Sequence, residues 1–131
     1  MTTETVWINN HVFDSTFEGN TFRIDGDKKE GPGPKSLLLS GLAGCSGIDV
    51  VDILEKMRVP FSGLSIKVNT EQTEEHPKVF KDIEVEYRLH TAAENEDKVR
   101  KAIELSLNKY CGVAAMLQKN STIRYTLVLL P

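Results

Sequence analysis

The chain has 131 residues, with 16 Lys and Arg against 19 Asp and Glu and a formal net charge of -3. That length suits one domain with a modest core, and its scattered basic residues exclude the concentrated positive footprint of a nucleic-acid binder. The N-terminus, MTTETVWINN, lacks the basic segment and apolar run of a secretory signal. The most apolar stretch, Leu37 to Leu54, is interrupted by Ser40, Ser46, Asp49 and Asp52, so no membrane span is expected and the chain reads as cytoplasmic.

Residues 4 to 25 carry strand signals: Val6, Ile8, Val12, Phe13, Phe17, Phe22 and Ile24 stand among polar residues, with turn chemistry at Asn9-Asn10 and Glu18-Gly19-Asn20. A three-stranded meander is expected. Asp25 to Gly33 is polar and rich in glycine, a flexible loop by composition, and it delivers the chain to Pro34, a residue suited to a first helical turn.

From Pro34 to Arg58 the apolar positions Leu38, Leu42, Cys45, Ile48, Val50, Val51, Ile53, Leu54 and Met57 fall at helical spacing, and they predict a mostly buried helix. Val59-Pro60 ends it. Gly41, Gly44 and Gly47 recur every third residue and leave a face open to close approach by another backbone. Each costs a helix about 1 kcal/mol relative to alanine, a loss that tight packing would offset. Twenty-five helical residues span roughly 37 Å, more than so small a domain covers by itself. A partner subunit is the simplest cover, so a homodimer is expected.

Leu64, Ile66 and Val68 alternate with polar residues, as do Ile83, Val85, Tyr87 and Leu89, and a polar turn through Glu74, Glu75 and His76 separates the two runs. This reads as an antiparallel hairpin with one wet face. From Glu94 the period becomes helical, with Val99, Ala102, Ile103, Leu105 and Ser106 on one stripe. A second apolar group, Tyr110 to Leu117, either continues that helix or begins a new one capped by Asn108. Ile123, Tyr125, Leu127 and Leu129 form a last strand. Grouped strands around two helical regions make the fold α+β.

Two cysteines, Cys45 and Cys111, carry the candidate chemistry. Neither lies in a CxxC motif, so neither a zinc ribbon nor a thioredoxin-type site is supported. In the cytoplasm both are reduced at rest, while a transient catalytic disulfide is allowed. Cysteine is also a small, commonly buried side chain, and both residues have a plain packing interpretation. Were Asn108 a helix cap, Cys111 would occupy the first turn beside Lys109, where the helix dipole makes a thiol more acidic. Glu74, Glu75 and His76 read as a solvated turn. Asp49 and Asp52, three residues apart, read as capping or ion-pairing groups rather than a catalytic pair, and His11 and His90 have no recognisable partners.

The blocks PKSLLLSGLAGCSGIDVVDILEK, TEEHPKVFKDIEVEYRL and KAIELSLNKYCGVAAML resemble the OsmC/Ohr family of osmotically inducible and organic hydroperoxide resistance proteins, in particular its YhfA-like branch. The resemblance runs from Pro34 to Leu130, with the N-terminal strands similar in outline. It implies one OsmC-like domain over residues 1 to 131, assembled as an intertwined homodimer in which antiparallel sheets wrap the long central helix that carries Cys45. It further implies a thiol-dependent peroxidase acting on small organic hydroperoxides, with Cys45 peroxidatic, Cys111 resolving and an external thiol as reductant. No cofactor and no metal are implied, and neither nucleic acid nor membrane is a partner. Leucines of the central helix are expected to form an apolar pocket for an alkyl peroxide. Peroxidase members of the family also place a glutamate ten residues before the first cysteine and an arginine on its N-terminal side. Here the first position holds Lys35, about 15 Å along the helix from Cys45, and Arg23 is the only arginine ahead of the helix. The same resemblance admits a non-catalytic alternative, a dimeric ligand-binding or stress-associated protein.

Overall fold

The computed structural model describes all 131 residues, which divide into two units, Met1–Leu39 and Ser40–Pro131. The first holds the expected meander: β1 (Glu4–Asn9), β2 (Val12–Phe17) and β3 (Asn20–Asp25), antiparallel in that order. Glu18 and Gly19 form its second turn with φ of 47° and 80°, the positive values that a two-residue hairpin turn needs. Val6, Trp7, Ile8, Phe13 and Phe22 nevertheless stay exposed, Trp7 at 62%.

The loop after β3 is pinned, not flexible. Asp25 is buried at the strand end, and its carboxylate accepts the backbone N–H groups of Asp27 at 2.8 Å, Glu30 at 2.9 Å and Lys29 at 3.1 Å. Its own N–H donates to the Pro32 carbonyl at 3.0 Å. Those amides hold the Asp25 carboxyl below the usual carboxylate range, the Glu30 N–H contributing most. Gly31 passes so close to β3 that a Cβ there would lie 2.5 Å from the Arg23 carbonyl oxygen, so no other residue fits without moving the strand.

Helix α1 (Pro34–Lys56) starts in the first unit and continues into the second. Its C-terminus closes as a Schellman motif: the Val59 N–H donates to the Leu54 carbonyl and the Arg58 N–H to that of Glu55, both at 3.0 Å, with Arg58 in the left-handed region at φ 58°. The expectation of a mostly buried helix fails for this chain. Only Leu42, Ser46, Val50 and Leu54 are buried, a stripe at four-residue spacing, while Leu38 is 51% and Ile48 65% exposed. A Cβ on Gly41 or Gly44 would meet nothing within 4 Å, whereas one on Gly47 would press on Ile66 Cδ1 at 3.1 Å. Within the chain, then, only one of the three glycines answers to a close neighbour. By length and composition alone α1 would pass as a membrane span; its buried stripe belongs instead to a core shared with a sheet.

That sheet contains β4 (Ser62–Gln72), β5 (Phe80–His90) and β6 (Ile123–Leu130) in this order. β4 and β5 are the expected antiparallel hairpin, with Val68 opposite Val85. β6, however, lies parallel to β5, with Val85 opposite Tyr125, so the sheet is mixed where antiparallel sheets were expected. Ile83, Val85, Tyr87 and Leu89 of the central strand are all buried on one face. They share a core with Leu42, Val50 and Leu54 of α1 and with Val99, Ala102 and Ile103 of α2 (Glu96–Leu105). Each such aliphatic side chain withdrawn from water contributes about 1.5 to 3 kcal/mol.

Candidate functional site

After α2 the chain widens into one π-helical turn, Ser106–Tyr110, in which the Cys111 N–H donates to the Ser106 carbonyl five residues back at 2.8 Å. A separate helix, α3 (Gly112–Leu117), follows. Asn108 is therefore not a cap, and Cys111 does not sit in a first helical turn. Cys111 is itself the N-cap of α3: its sulfur accepts the Ala114 N–H at 3.3 Å. The expected acidification is also reversed. Burial pushes the Cys111 thiol up to about 11, and the neighbouring Cys45 thiol adds to the rise, while the Ala114 amide opposes burial with less effect. Desolvation of a 3% exposed sulfur outweighs the amides at the head of a short helix.

The two thiols interact although one is on α1 and the other on the turn ahead of α3. Cys45 is half-buried and packs against the core to which Cys111 belongs, and both are free thiols. Beside them lies a polar chain that sequence reading missed. The Ser46 and Tyr87 hydroxyls are 2.6 Å apart, the Ser106 hydroxyl is 2.8 Å from that of Ser46, and the same Ser106 oxygen lies 2.9 Å from Asp49 Oδ2. An ionised carboxylate can only accept. Ser106 therefore donates to Asp49, Ser46 to Ser106, and Tyr87 to Ser46, one proton for each link. Burial raises the Tyr87 phenol to about 12, so it remains a donor at neutral pH. Ser46, Tyr87 and Ser106 are fully buried, and Asp49 is one helical turn beyond Cys45. The available signal was the two serines, each standing in a stripe otherwise occupied by apolar side chains.

The other candidates have partners of their own. Arg23 is held within the N-terminal unit, its Nε donating to Asp14 Oδ1 at 2.8 Å, one terminal nitrogen to Asp14 Oδ2 at 3.0 Å and the other to Glu30 Oε1 at 3.1 Å. Sequence spacing did not reveal that Glu30, five residues ahead of Lys35, supplies a glutamate to this arginine. Asp49 and Asp52 do not act together: Asp52 lines a groove of about 510 Å³ with Gly44, Gly47, Ile48, Leu64 and Ile66. The leucines of α1 do not form one pocket wall, since Leu42 is in the core and Leu38 is exposed. His11 pairs with Asp27 at 2.9 Å, and His90 Nδ1 lies 3.1 Å from the Pro131 carbonyl. Glu74, Glu75 and His76 are exposed in the hairpin turn, and Cys45, Cys111 and His76 do not gather into a metal-binding group.

Protein YhfA of Escherichia coli (strain K12) is 33% identical over 122 residues, covering 92% of this chain and 91% of that protein. An OsmC like protein from Mycoplasma pneumoniae has the same fold, with a TM-score of 0.83 at 18% identity over 97% of this chain and 96% of that one. So does the organic hydroperoxide resistance protein OhrB of Bacillus subtilis, with a TM-score of 0.67 at 14% identity over 97% of this chain and 98% of that one. Residues 26–126 match the family described as OsmC-like protein. With its cysteine pair on a long helix and a neighbouring turn, in an α+β fold shared with these structures, the chain belongs to the OsmC-like protein family.

Proposed function

We propose that this protein is a thiol-dependent peroxidase for small organic hydroperoxides. The observation that carries the reading is that half-buried Cys45 packs against the core that contains buried Cys111 and raises its thiol, although the two residues are distant in sequence. In the first step the Cys45 thiolate attacks the peroxide oxygen, the O–O bond breaks, the alkoxide leaves as alcohol after protonation, and Cys45 becomes a sulfenic acid. In the second, Cys111 attacks that sulfur, the S–O bond breaks, and the hydroxide leaves with the Cys111 proton as water. Two equivalents of an external thiol then reduce the disulfide. The family resemblance makes Arg23 the candidate cation for orienting the peroxide, and within the N-terminal unit Asp14 and Glu30 hold its guanidinium in place.

The working form is a cytoplasmic homodimer of a single-domain chain. Supporting this are the exposed Trp7, Phe13, Phe22 and Ile48 and the open faces of Gly41 and Gly44, together with the bounds on exposed apolar surface in a monomer. A monomeric mass by light scattering at micromolar concentration would contradict it.

The deciding experiment is stopped-flow oxidation of the reduced protein by cumene hydroperoxide and by hydrogen peroxide, alongside Cys45→Ser and Cys111→Ser. Fast consumption of the organic peroxide, abolished in Cys45→Ser and halted at sulfenic acid in Cys111→Ser, is the expected result. Oxidation no faster than that of a free thiol peptide favours the second reading, a non-catalytic dimeric ligand-binding or stress-associated protein. The raised Cys111 thiol supports that alternative, since a packed cysteine has this property.

A further inference from the structure

The cysteines are joined by more than their own contact. Ser46 follows Cys45 directly on α1. Ser106 accepts the Cys111 N–H at its carbonyl, at 2.8 Å, and its hydroxyl accepts from Ser46 at 2.8 Å and donates to Asp49 at 2.9 Å. One residue thus holds the backbone of the second cysteine with its main chain and the helix of the first with its side chain. The bond from Cys111 spans five residues and closes a π-helical turn; such turns are often placed at functional sites.

We propose that Ser106, anchored by Asp49 and Ser46, is the positioning residue that sets the separation of Cys45 and Cys111 and so tunes how readily they form a disulfide. The inference rests on the redox reading above. Asp49 matters because its carboxylate fixes the direction of the hydroxyl chain, which leaves Ser106 a single orientation. Tyr87 closes the far end from β5, so the clamp is braced against the central strand. Without the anchor, the Ser106 hydroxyl and the turn that carries Cys111 gain freedom, and the effective concentration of one thiol at the other falls.

The test is the equilibrium of the full-length protein with glutathione, in which the dithiol and one glutathione disulfide exchange for the protein disulfide and two glutathiones. It reads the thiol pair alone and needs no peroxide. Asp49→Ala and Ser106→Ala are expected to shift the equilibrium at least tenfold toward the dithiol, about 30 mV. Asp49→Asn, whose amide oxygen still accepts from Ser106, is expected to stay within threefold of the unsubstituted protein. Thermal melting run alongside shows whether each variant is folded. Asp49 is half-buried, so its two substitutions decide the matter even if Ser106→Ala does not fold. Equal equilibria for Asp49→Ala, Asp49→Asn and the unsubstituted protein would overturn the clamp while leaving the cysteine pair redox-active. Failure of the unsubstituted protein to form a Cys45–Cys111 disulfide under glutathione disulfide would overturn the redox reading and the clamp together.

Discussion

Two deletions within the hydroxyl chain should differ in cost, and the difference follows from proton counting. Tyr87→Phe keeps the ring, its core packing and its edge-to-face contact with Tyr125 at 6.2 Å between centroids. It removes the one hydrogen bond donated to Ser46, which still donates to Ser106; the expected loss is about 1 kcal/mol. Ser106→Ala takes more. Ser46 must turn its hydrogen back toward Tyr87, whose own hydrogen then has no acceptor in a site of zero exposure, and Asp49 loses its donor. Stranding one buried donor and breaking the chain should cost about 2 to 3 kcal/mol. Urea denaturation followed by circular dichroism, at one fixed protein concentration, measures both. Equal slopes keep the comparison valid. A Tyr87→Phe loss equal to or above that of Ser106→Ala would refute the assigned direction of the chain, and losses below about 0.5 kcal/mol in both would refute its contribution to stability.

Three further outcomes are expected. Arg58 sits at φ 58° in the helix-closing motif, so Arg58→Gly should relieve about 1 kcal/mol of backbone strain, partly offset by glycine's greater freedom when unfolded; a lower melting temperature would contradict this. Asp25 titrates below its ordinary value of 3.8 when folded. Its contribution is therefore full above that value and is lost as the pH falls toward the folded one, so Asp25→Asn should flatten the acid limb of stability below pH 3.8. An unchanged slope in urea midpoints against pH would count against the pinned loop. In a Cys45→Ser background the raising influence of Cys45 is gone, but burial still holds the Cys111 thiol above its ordinary value. Iodoacetamide should label it slowly until the pH approaches 10, and labelling at the rate of a peptide thiol at pH 7.5 would show the burial to be wrong.

What the sequence disclosed depended on whether the information was periodic. The alternation of Ile83, Val85, Tyr87 and Leu89 between charged residues identifies a strand with one buried face, and the short polar turn before it forces an antiparallel neighbour. No such constraint acts on β6, which returns after a helical segment and can enter in either direction; its parallel pairing is a tertiary outcome. The Asp25 loop misled by composition, because glycine, lysine and proline suggest mobility while a single carboxylate at the strand end gathers three amides. Asn108 has the chemistry of a cap, yet the π-helical turn carries the chain past it and gives the cap to Cys111. The hydroxyl chain escaped because Ser46 and Ser106 count as interruptions in a hydrophobic stripe, and only the approach of α1, β5 and the turn after α2 shows them to be partners.

The raised Cys111 thiol fits a division of labour between the two sulfurs. Peroxide is attacked by thiolate, so under the proposed peroxidase cycle a cysteine whose proton is held up to about 11 would stay reduced while its neighbour is consumed. The proposed resolving step would make a different demand, because a nucleophile already beside its target needs little thiolate. High effective concentration replaces ionisation. Burial of Cys111 at 3% exposure also keeps bulk oxidant from carrying it to sulfinic acid. On this argument a substitution that loosens the packing around Cys111, such as Ala114→Gly in the core cluster they share, should raise its labelling rate and its overoxidation together. Over-oxidation confined to Cys45 in that variant, detected by mass spectrometry after excess peroxide, would show that burial is not what protects the resolving sulfur.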